Sequence, residues 1–270
     1  MPYAQDLAQT WQLADEQLNI GNYSNALALY ARVSFFGNEE IKLSCYIAKG
    51  DCYFQMHEYN KSIEEYDNAI ERDCPDSLKN ELYIRKAYCF LFQNNFNSAL
   101  DEIKKMEEGR NKEFLSRKQL HLGLMEFLIF SFKSSEKNLL AYTNANCPHK
   151  SEELMQIFNN TLKIKRRKKS KLWVSSVIIP GSGQMIYADY KNGVNSLLLN
   201  SSLFALTYYV GYSYGIPDAA LTVFPWSYRY YSSGIKKSHT AAKDCVKELH
   251  GEAFNEVLEL CNECMEVGIE

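Results

Sequence analysis

Cysteine and histidine come closest to a metal-binding pattern in this chain of 270 residues. Two of the eight cysteines, Cys261 and Cys264, form a C-x-x-C pair near the C-terminal end. Structural zinc needs four ligands, and the sequence offers only Cys147 with His149, or His250, as further candidates. We therefore predict no metal ion and no other cofactor.

Motifs for nucleotide binding and nucleophilic catalysis are also missing. The sequence GSG at 181–183 lacks the Lys and the Ser or Thr of a phosphate loop, and its surroundings are apolar. The five histidines are dispersed, and none has a matching Ser or Cys nucleophile in an identifiable setting. A net charge of -3 and a mean hydropathy of -0.36 argue against a nucleic-acid-binding protein and against a polytopic transporter. The sequence predicts no enzyme, no nucleic-acid partner and no small-molecule substrate.

An internal repeat organises the first part of the chain. Three segments, which begin at Ala14, Gly50 and Ala87, align at spacings of 36 and 37 residues. Each has an aromatic residue after nine positions, a small residue after three more and a large apolar residue four beyond: Tyr23, Ala26 and Tyr30, then Tyr59, Ser62 and Tyr66, then Phe96, Ala99 and Ile103. Antiparallel helices cross closely where a small residue faces a ring, so this spacing predicts helical hairpins.

The pattern resembles the tetratricopeptide repeat over residues 5–107. The departures are His57 at the turn of the second repeat, and Val33 and Met106 at the late small position. A degenerate fourth unit follows from Gly123, and an amphipathic closing helix begins at Ser151. The apolar run at 124–132 is too short to span a membrane, which favours a buried helix over the alternative of an anchor. We predict a repeat domain over residues 1–162.

The resemblance implies that a protein or peptide partner lies along the first helix of each pair. The family's groove positions correspond here to Trp11, Asp15, Leu18, Ile47, Asp51, Phe54, Ile84, Tyr88 and Leu91. This groove is predicted to be apolar with acidic spots. It lacks the Lys and Asn set with which chaperone-binding members hold a C-terminal carboxylate, so no chaperone clamp is predicted. The alternative is that these side chains only pack between helices.

Residues 163–171 read KIKRRKKSK, and seven of these nine are cationic. The cationic residues are Lys163, Lys165, Arg166, Arg167, Lys168, Lys169 and Lys171. Such a run is either a solvated linker or a patch beside a membrane, where each charge contributes roughly 1 kcal/mol at an anionic lipid surface. Because the most apolar third of the chain follows directly, we predict a polybasic linker at a membrane.

Residues 172–234 predict an apolar, membrane-associated helical hairpin. The uncharged run at 192–217 is long enough to cross a hydrocarbon core of about 30 Å, but its Asn, Ser, Thr and Tyr residues leave open whether residues 197–216 truly span. The sequence PGSGQ interrupts the apolar run and predicts a re-entrant or interfacial bend. The bend residues are Pro180, Gly181, Gly183, Gln184 and Tyr187. They resemble the P-G-x-G-Q-x-Y hairpin of small bacterial membrane proteins.

Residues 235–270 predict amphipathic helices, with apolar positions at Phe254, Val257, Leu258, Cys261 and Met265. The first residues, MPYAQ, resemble the end of a bacterial secretory signal, which implies an exported repeat domain. The polybasic run favours the opposite orientation, since cationic loops stay in the cytoplasm.

Together these features predict an all-α fold, in which a tetratricopeptide-type solenoid of helical hairpins precedes an apolar helical hairpin and a C-terminal amphipathic helix. The whole chain resembles bacterial envelope proteins that join such repeats to a membrane hairpin. The predicted function is a membrane-anchored scaffold for protein interaction. The alternative is a soluble helical adaptor whose apolar C-terminal block is an internal subdomain or an oligomer interface.

Overall fold

The computed structural model describes residues 7–72, 74–107, 112–169 and 171–267, so the signal-like segment MPYAQ lies outside the described residues. Every regular element in these ranges is helical, which confirms the predicted all-α class. The α-helices are α1 (Leu7–Asn19), α2 (Tyr23–Phe36), α3 (Glu39–Gln55), α4 (Tyr59–Ile70), α5 (Asp76–Phe92), α6 (Phe96–Lys104), α7 (Lys112–Leu128), α8 (Phe132–Asn146), α9 (Ser151–Lys169), α10 (Ser182–Ile186), α11 (Tyr190–Tyr214), α12 (Ile216–Thr222) and α13 (Phe224–Val267). Short 3-10 segments lie at Pro148–Lys150 and Leu172–Val177.

The chain divides into two compact units. The first unit holds the described residues up to Ser151 together with the end of the chain from Cys264, and the second holds Glu152–Glu263. The predicted boundary at residue 162 differs from this division because α9 continues without a break through residue 169. Lys and Arg are good helix formers, so the basic run extends this helix.

Consecutive helices of the first unit pack as pairs: α1 with α2, α3 with α4, α5 with α6, and α7 with α8. The small residues lie where the two helices of a pair cross. A Cβ atom on Gly50 would come within 2.4 Å of the Tyr66 ring. At the same crossing Ser62 Oγ donates a hydrogen bond of 2.9 Å to the carbonyl oxygen of Gly50. The fourth pair repeats this contact, since Ser135 Oγ donates to the carbonyl oxygen of Gly123 at 2.7 Å.

The turns within these pairs share one backbone conformation. Each contains a left-handed residue followed by a residue near φ −90° and ψ +60°, directly before the second helix. The left-handed residues are Gly21, His57, Asn94 and Phe130. Left-handed backbone is unfavourable for residues with a Cβ, but here two hydrogen bonds hold it. In the second pair the amides of His57 and Glu58 donate to the carbonyls of Phe54 and Tyr53 at 3.0 and 2.9 Å. His57 therefore replaces the expected glycine without changing the turn.

The same turn occurs a fifth time, between α10 and α11 in the second unit. Ala188 has a φ of 68°, and Asp189 has φ −85° and ψ 61°. Gly181 and Gly193 precede and follow this turn at the offsets that Gly50 and Ser62 have in the second pair. The chain therefore reverses at Ala188 and Asp189, not within PGSGQ as the sequence predicted.

The difference has a physical reason. Gly181 is left-handed, with a φ of 88°, but its conformation starts the short helix α10 instead of reversing the chain. A Cβ atom on Gly181 would lie 2.1 Å from the carbonyl oxygen of Gly193, so glycine is required for close helix packing as well as for φ. Gly183 has no positive φ, and its missing side chain lets α10 approach the backbone of Trp173, where a Cβ would lie at 2.8 Å.

The last helix, α13, is 44 residues long and begins at Phe224, earlier than the predicted C-terminal region. In its first part it packs against α11, where Thr207 and Ser227 hydroxyls lie 3.1 Å apart and the Phe204 and Tyr231 rings are in edge contact. Near its C-terminal end Cys264 forms a disulfide with Cys147, which follows α8. The disulfide occupies one of the two cysteines of the C-x-x-C pair.

Candidate functional site

The predicted groove positions of the first pair make contacts inside the unit. The Trp11 ring meets the Tyr30 ring edge-on at 5.2 Å between centroids. Asp15 accepts a hydrogen bond from Tyr30 Oη at 2.5 Å, and Leu18 packs against the same small core. Burial, followed by the Asp15 carboxylate, raises the pKa of Tyr30, so its hydroxyl stays a donor. All three predicted side chains are half-buried, and part of each faces solvent.

In the second pair Ile47 and Phe54 pack against the core, and Asp51 is engaged by two partners. Tyr66 Oη donates to Asp51 at 2.6 Å, and the Arg85 guanidinium of α5 donates to both carboxylate oxygens. Asp51 is therefore neutralised and does not form the predicted acidic spot.

The third pair contributes one exposed position. Ile84 is 4% exposed and Leu91 is partly buried, so both pack within the core. Tyr88 is 37% exposed, and its ring meets the His121 ring edge-on at 6.1 Å. Ile84 thus fits the alternative that predicted groove residues pack between helices, whereas Tyr88 presents surface.

A ladder of charged side chains crosses α3, α5 and α7, and sequence reasoning missed it. Arg85 bridges Asp51 of α3 and Glu81 of its own helix, and Arg117 of α7 donates to Glu81 at 2.8 Å. Burial alone would raise the pKa of Glu81, but the hydrogen bonds and charges of Arg117 and Arg85 hold it below its usual value. The first helices of neighbouring pairs are therefore joined by ion pairs as well as by apolar contacts.

The positions of these contacts within the repeats could have been used to predict them from the sequence. The residue after the small position of one repeat faces the residue two before the small position of the next: Asp51 faces Arg85, and Tyr88 faces His121. Burial, with the nearby charge of Arg117, lowers the pKa of His121 to about 4. No atom of the described residues bonds to its buried Nδ1.

The basic residues lie at the end of α9 and just beyond it. Lys163, Lys165, Arg166, Arg167 and Lys171 are exposed. The side chains of Lys168 and Lys169 lie outside the described residues. Arg167 donates to the sulfur of Cys245 at 3.1 Å, and the other exposed cations face solvent. This end of the second unit therefore presents a concentrated positive charge.

The predicted bend residues lie in and around α10, and most of them are buried. Gly181, Gly183, Gln184 and Tyr187 are buried, and Pro180 is half-buried. The side-chain amide of Gln184 is 0% exposed, and neither of its polar atoms has a partner among the described residues. The side chain of Gln184 therefore forms no hydrogen bond with the backbone groups of the predicted bend.

The second unit exposes a large apolar surface, which we call the apolar surface of residues 172–230. Of the 32 exposed large apolar side chains in the described part of the chain, 22 lie in this range. The most exposed ones are Ile178, Tyr208, Tyr212, Ile216 and Leu221. Large exposed apolar patches mark contact sites on soluble proteins, so this concentration of exposed apolar side chains in one unit indicates a contact site.

None of the helices in the described ranges is both long enough and apolar enough to cross a membrane. A transmembrane helix within residues 197–216, which the sequence left open, is therefore unsupported. No protein-family model matches the chain, and no curated protein sequence matches it significantly. The resemblance to tetratricopeptide repeats and to the membrane hairpin stays a prediction.

Proposed function

We propose that the chain is a protein-interaction scaffold held at the surface of a membrane. The first unit binds a protein or peptide along its first helices, and the apolar surface of residues 172–230 adsorbs to the bilayer. The observation that carries this proposal is the concentration of exposed aliphatic and aromatic side chains in the second unit. Adsorption removes this surface from water without requiring a spanning helix.

Composition and charge favour a membrane interface as the contact. Tyr and Trp side chains prefer the headgroup level of a bilayer, and this surface contains Tyr208, Tyr212, Trp226 and Tyr228. The exposed basic residues at the end of α9 belong to the same unit and attract anionic lipids. The disulfide supports an oxidising compartment and hence an exported protein, since disulfides persist outside the cytosol.

Flotation with anionic lipid vesicles tests the membrane contact. Ile216 and Leu221 are 80% and 79% exposed, and burying a large aliphatic side chain contributes roughly 1.5–3 kcal/mol. We expect Ile216→Ser or Leu221→Ser to lower vesicle partitioning by about tenfold or more. The control Phe35→Ser removes an equally exposed apolar residue from the first unit and should leave partitioning unchanged. Wild-type protein that stays with the soluble fraction would refute membrane association.

The groove of the first unit is proposed to take an extended peptide with a cationic side chain. Asp15 accepts a hydrogen bond from Tyr30 and keeps solvent-facing surface beside Trp11 and Leu18, whereas Asp51 is already paired with Arg85. A matched pair of labelled peptides, which differ only in one lysine replaced by norleucine, tests this. We expect the lysine peptide to bind more tightly, and Asp15→Asn to remove the difference. An unchanged preference in Asp15→Asn would contradict the assignment.

A second candidate is a soluble adaptor whose apolar surface joins copies of the chain. The exposed apolar side chains of the second unit favour it as well, since contact between copies would also remove them from water. Light scattering in detergent-free buffer separates the two functions. A stable oligomer that loses its association in Ile216→Ser and does not bind vesicles would support the adaptor.

A further inference from the structure

A polar cavity lies between α11 and α13, within the unit that carries the apolar surface. Its volume is about 180 Å³, well above the roughly 10–15 Å³ that one ordered water needs. The polar residues that line it are Asn192, Asn195, Ser196, Asn200, Tyr230, Ser233 and Lys237. The space therefore suits a small polar group better than a single structural water.

Asn200 leaves an unsatisfied acceptor at this cavity. Its Nδ2 donates to the carbonyl oxygen of Ser196 at 2.7 Å, which fixes the orientation of the amide. Its Oδ1 has no partner among the described residues, although the side chain is only 1% exposed. Gly234 lets α13 pass close to this point, since a Cβ there would lie 2.8 Å from Ser196 Oγ. A buried acceptor without a partner is unfavourable, so a ligand at this site gains by bringing a hydroxyl or ammonium donor.

Lys237 supplies the charge of the cavity. It is exposed, and no carboxylate of the described residues lies within ion-pair distance of it. A cation beside several hydroxyl and amide groups suits a phosphate ester. Leu199 also lines the cavity and is 42% exposed, so apolar surface adjoins the polar site. A polar site that opens onto an apolar surface matches a phospholipid, with its headgroup inside and its acyl chains outside.

Resting on the membrane association proposed above, we propose that this cavity binds the phosphoglycerol headgroup of phosphatidylglycerol. The phosphate lies at Lys237, and a glycerol hydroxyl donates to Asn200 Oδ1. Phosphatidylcholine does not fit, because its quaternary ammonium has no N–H to donate and its headgroup has no net charge.

The test compares two anionic lipids of equal charge in otherwise identical vesicles. Phosphatidylglycerol carries hydroxyl donors in its headgroup, and phosphatidylmethanol carries none. We expect the full chain to bind phosphatidylglycerol vesicles about fivefold more tightly, the effect of one hydrogen bond. Asn200→Leu should bind both vesicles equally, at the level of wild type on phosphatidylmethanol. Lys237→Met should weaken binding to both lipids, and the neighbouring Lys236→Met, which does not line the cavity, should keep the fivefold preference.

Each outcome separates this proposal from the membrane association itself. Binding to both vesicles without a preference overturns the headgroup site and leaves the proposal of membrane association intact. A preference that persists in Asn200→Leu has the same consequence. Titration with soluble glycerophosphoglycerol, followed by the amide signals of Asn200, supplies the second measurement. Binding of this ester without any vesicle binding would show a site for a free phosphate ester and would overturn both proposals for lipid. If neither the vesicles nor the soluble ester binds, the headgroup site and membrane association are both overturned.

Discussion

At the residue scale, Gly181 and Gly183 determine local backbone conformation and packing, and His121 affects stability. Gly181 combines a left-handed backbone with a contact against the Gly193 carbonyl, whereas Gly183 serves only close packing. The sequence predicted that PGSGQ forms a bend, at which glycine can take a positive φ. It could not show which of the two glycines needs the conformation, because φ depends on where the chain turns and packs.

We expect Gly181→Ala to lower the free energy of unfolding by about 3 kcal/mol or more. Two costs combine: the left-handed conformation of a residue with a Cβ, and the overlap of that Cβ with a backbone oxygen that cannot move away alone. Urea denaturation followed by circular dichroism measures the change. The control is Gly251→Ala in α13, where no atom beyond the adjoining helix backbone lies within 4 Å of the new Cβ. Because Ala is the better helix former, the control should gain about 0.5–1 kcal/mol. Equal stabilities of the two variants would contradict the assigned role of Gly181.

His121 makes the stability of the first unit depend on pH. Its folded pKa of about 4 lies below the unfolded value of about 6.5, because burial and Arg117 disfavour the imidazolium. The unfolded state therefore binds more protons between these values, and stability falls as the pH is lowered from about 6.5 to 4. We expect a loss of about 1–3 kcal/mol from this residue across that range.

Urea denaturation at pH 7 and pH 4.5 tests this expectation. The variant His121→Gln should show a smaller loss than wild type, because Gln does not titrate. The control His149→Gln changes an exposed histidine and should keep the wild-type pH dependence. A pH dependence in His121→Gln equal to that of wild type would rule out His121 as its source.

At the scale of elements, one helical hairpin geometry occurs five times in the described ranges of the chain. The sequence predicted the first three from the spacing of small and aromatic residues, and a degenerate fourth. The fifth, with Gly181, Tyr190 and Gly193 at the equivalent offsets, was missed because the first helix is shortened to α10. The same residues then resembled a membrane bend. A turn is defined by backbone hydrogen bonds and dihedral angles, and composition alone did not reveal that Ala188 takes the left-handed position.

The contacts of the predicted groove residues could be predicted only in part, because they also depend on the packing between hairpins. Helical periodicity indicated which faces of α1, α3 and α5 lie together, but the pairing of Asp51 with Arg85 depends on how successive hairpins stack. The sequence spacing between contacting residues of successive hairpins differs from the spacing between contacting residues within one hairpin. The sequence therefore located Asp51 and Tyr88 on one face and did not identify their partners on the next helix.

The hydrogen bond from Ser62 to the Gly50 carbonyl should stabilise the crossing of α3 and α4. Both groups are buried, and an intramolecular hydrogen bond contributes about 0.5–1.5 kcal/mol net. We expect Ser62→Ala to lower the free energy of unfolding by about 1 kcal/mol, measured by urea denaturation. Ser44→Ala removes an exposed hydroxyl that bonds within α3 and should change stability by less than about 0.5 kcal/mol. Matching losses in both variants would assign the effect to serine itself rather than to the crossing.

At the scale of the whole molecule, the cysteines have two distinct roles. Cys147 and Cys264 form the disulfide, and the other six are thiols, of which most are buried. Burial raises the pKa of Cys45 and Cys52 to about 11 and that of Cys261 to about 12, which keeps these thiols protonated and unreactive near neutral pH. The sequence treated Cys147 only as a metal-ligand candidate, because residues 117 apart give no sign of their contact in the fold.

Reduction of the disulfide should destabilise the molecule more than any single substitution above. Closing a loop of 117 residues removes conformational entropy from the unfolded chain worth about 5 kcal/mol in the loop-entropy model, within a usual range of 2–5 kcal/mol. We expect Cys264→Ser to lower the urea midpoint to that of the reduced wild-type protein and to abolish its response to reductant. Cys261→Ser changes the neighbouring thiol of the same helix and should keep the full response, because its thiol is not part of the bond. Thiol titration in denaturant should count six groups before reduction and eight after it. A count of eight in protein purified without reductant, or a Cys264→Ser variant that still responds to reductant, would show that this bond does not hold the fold together.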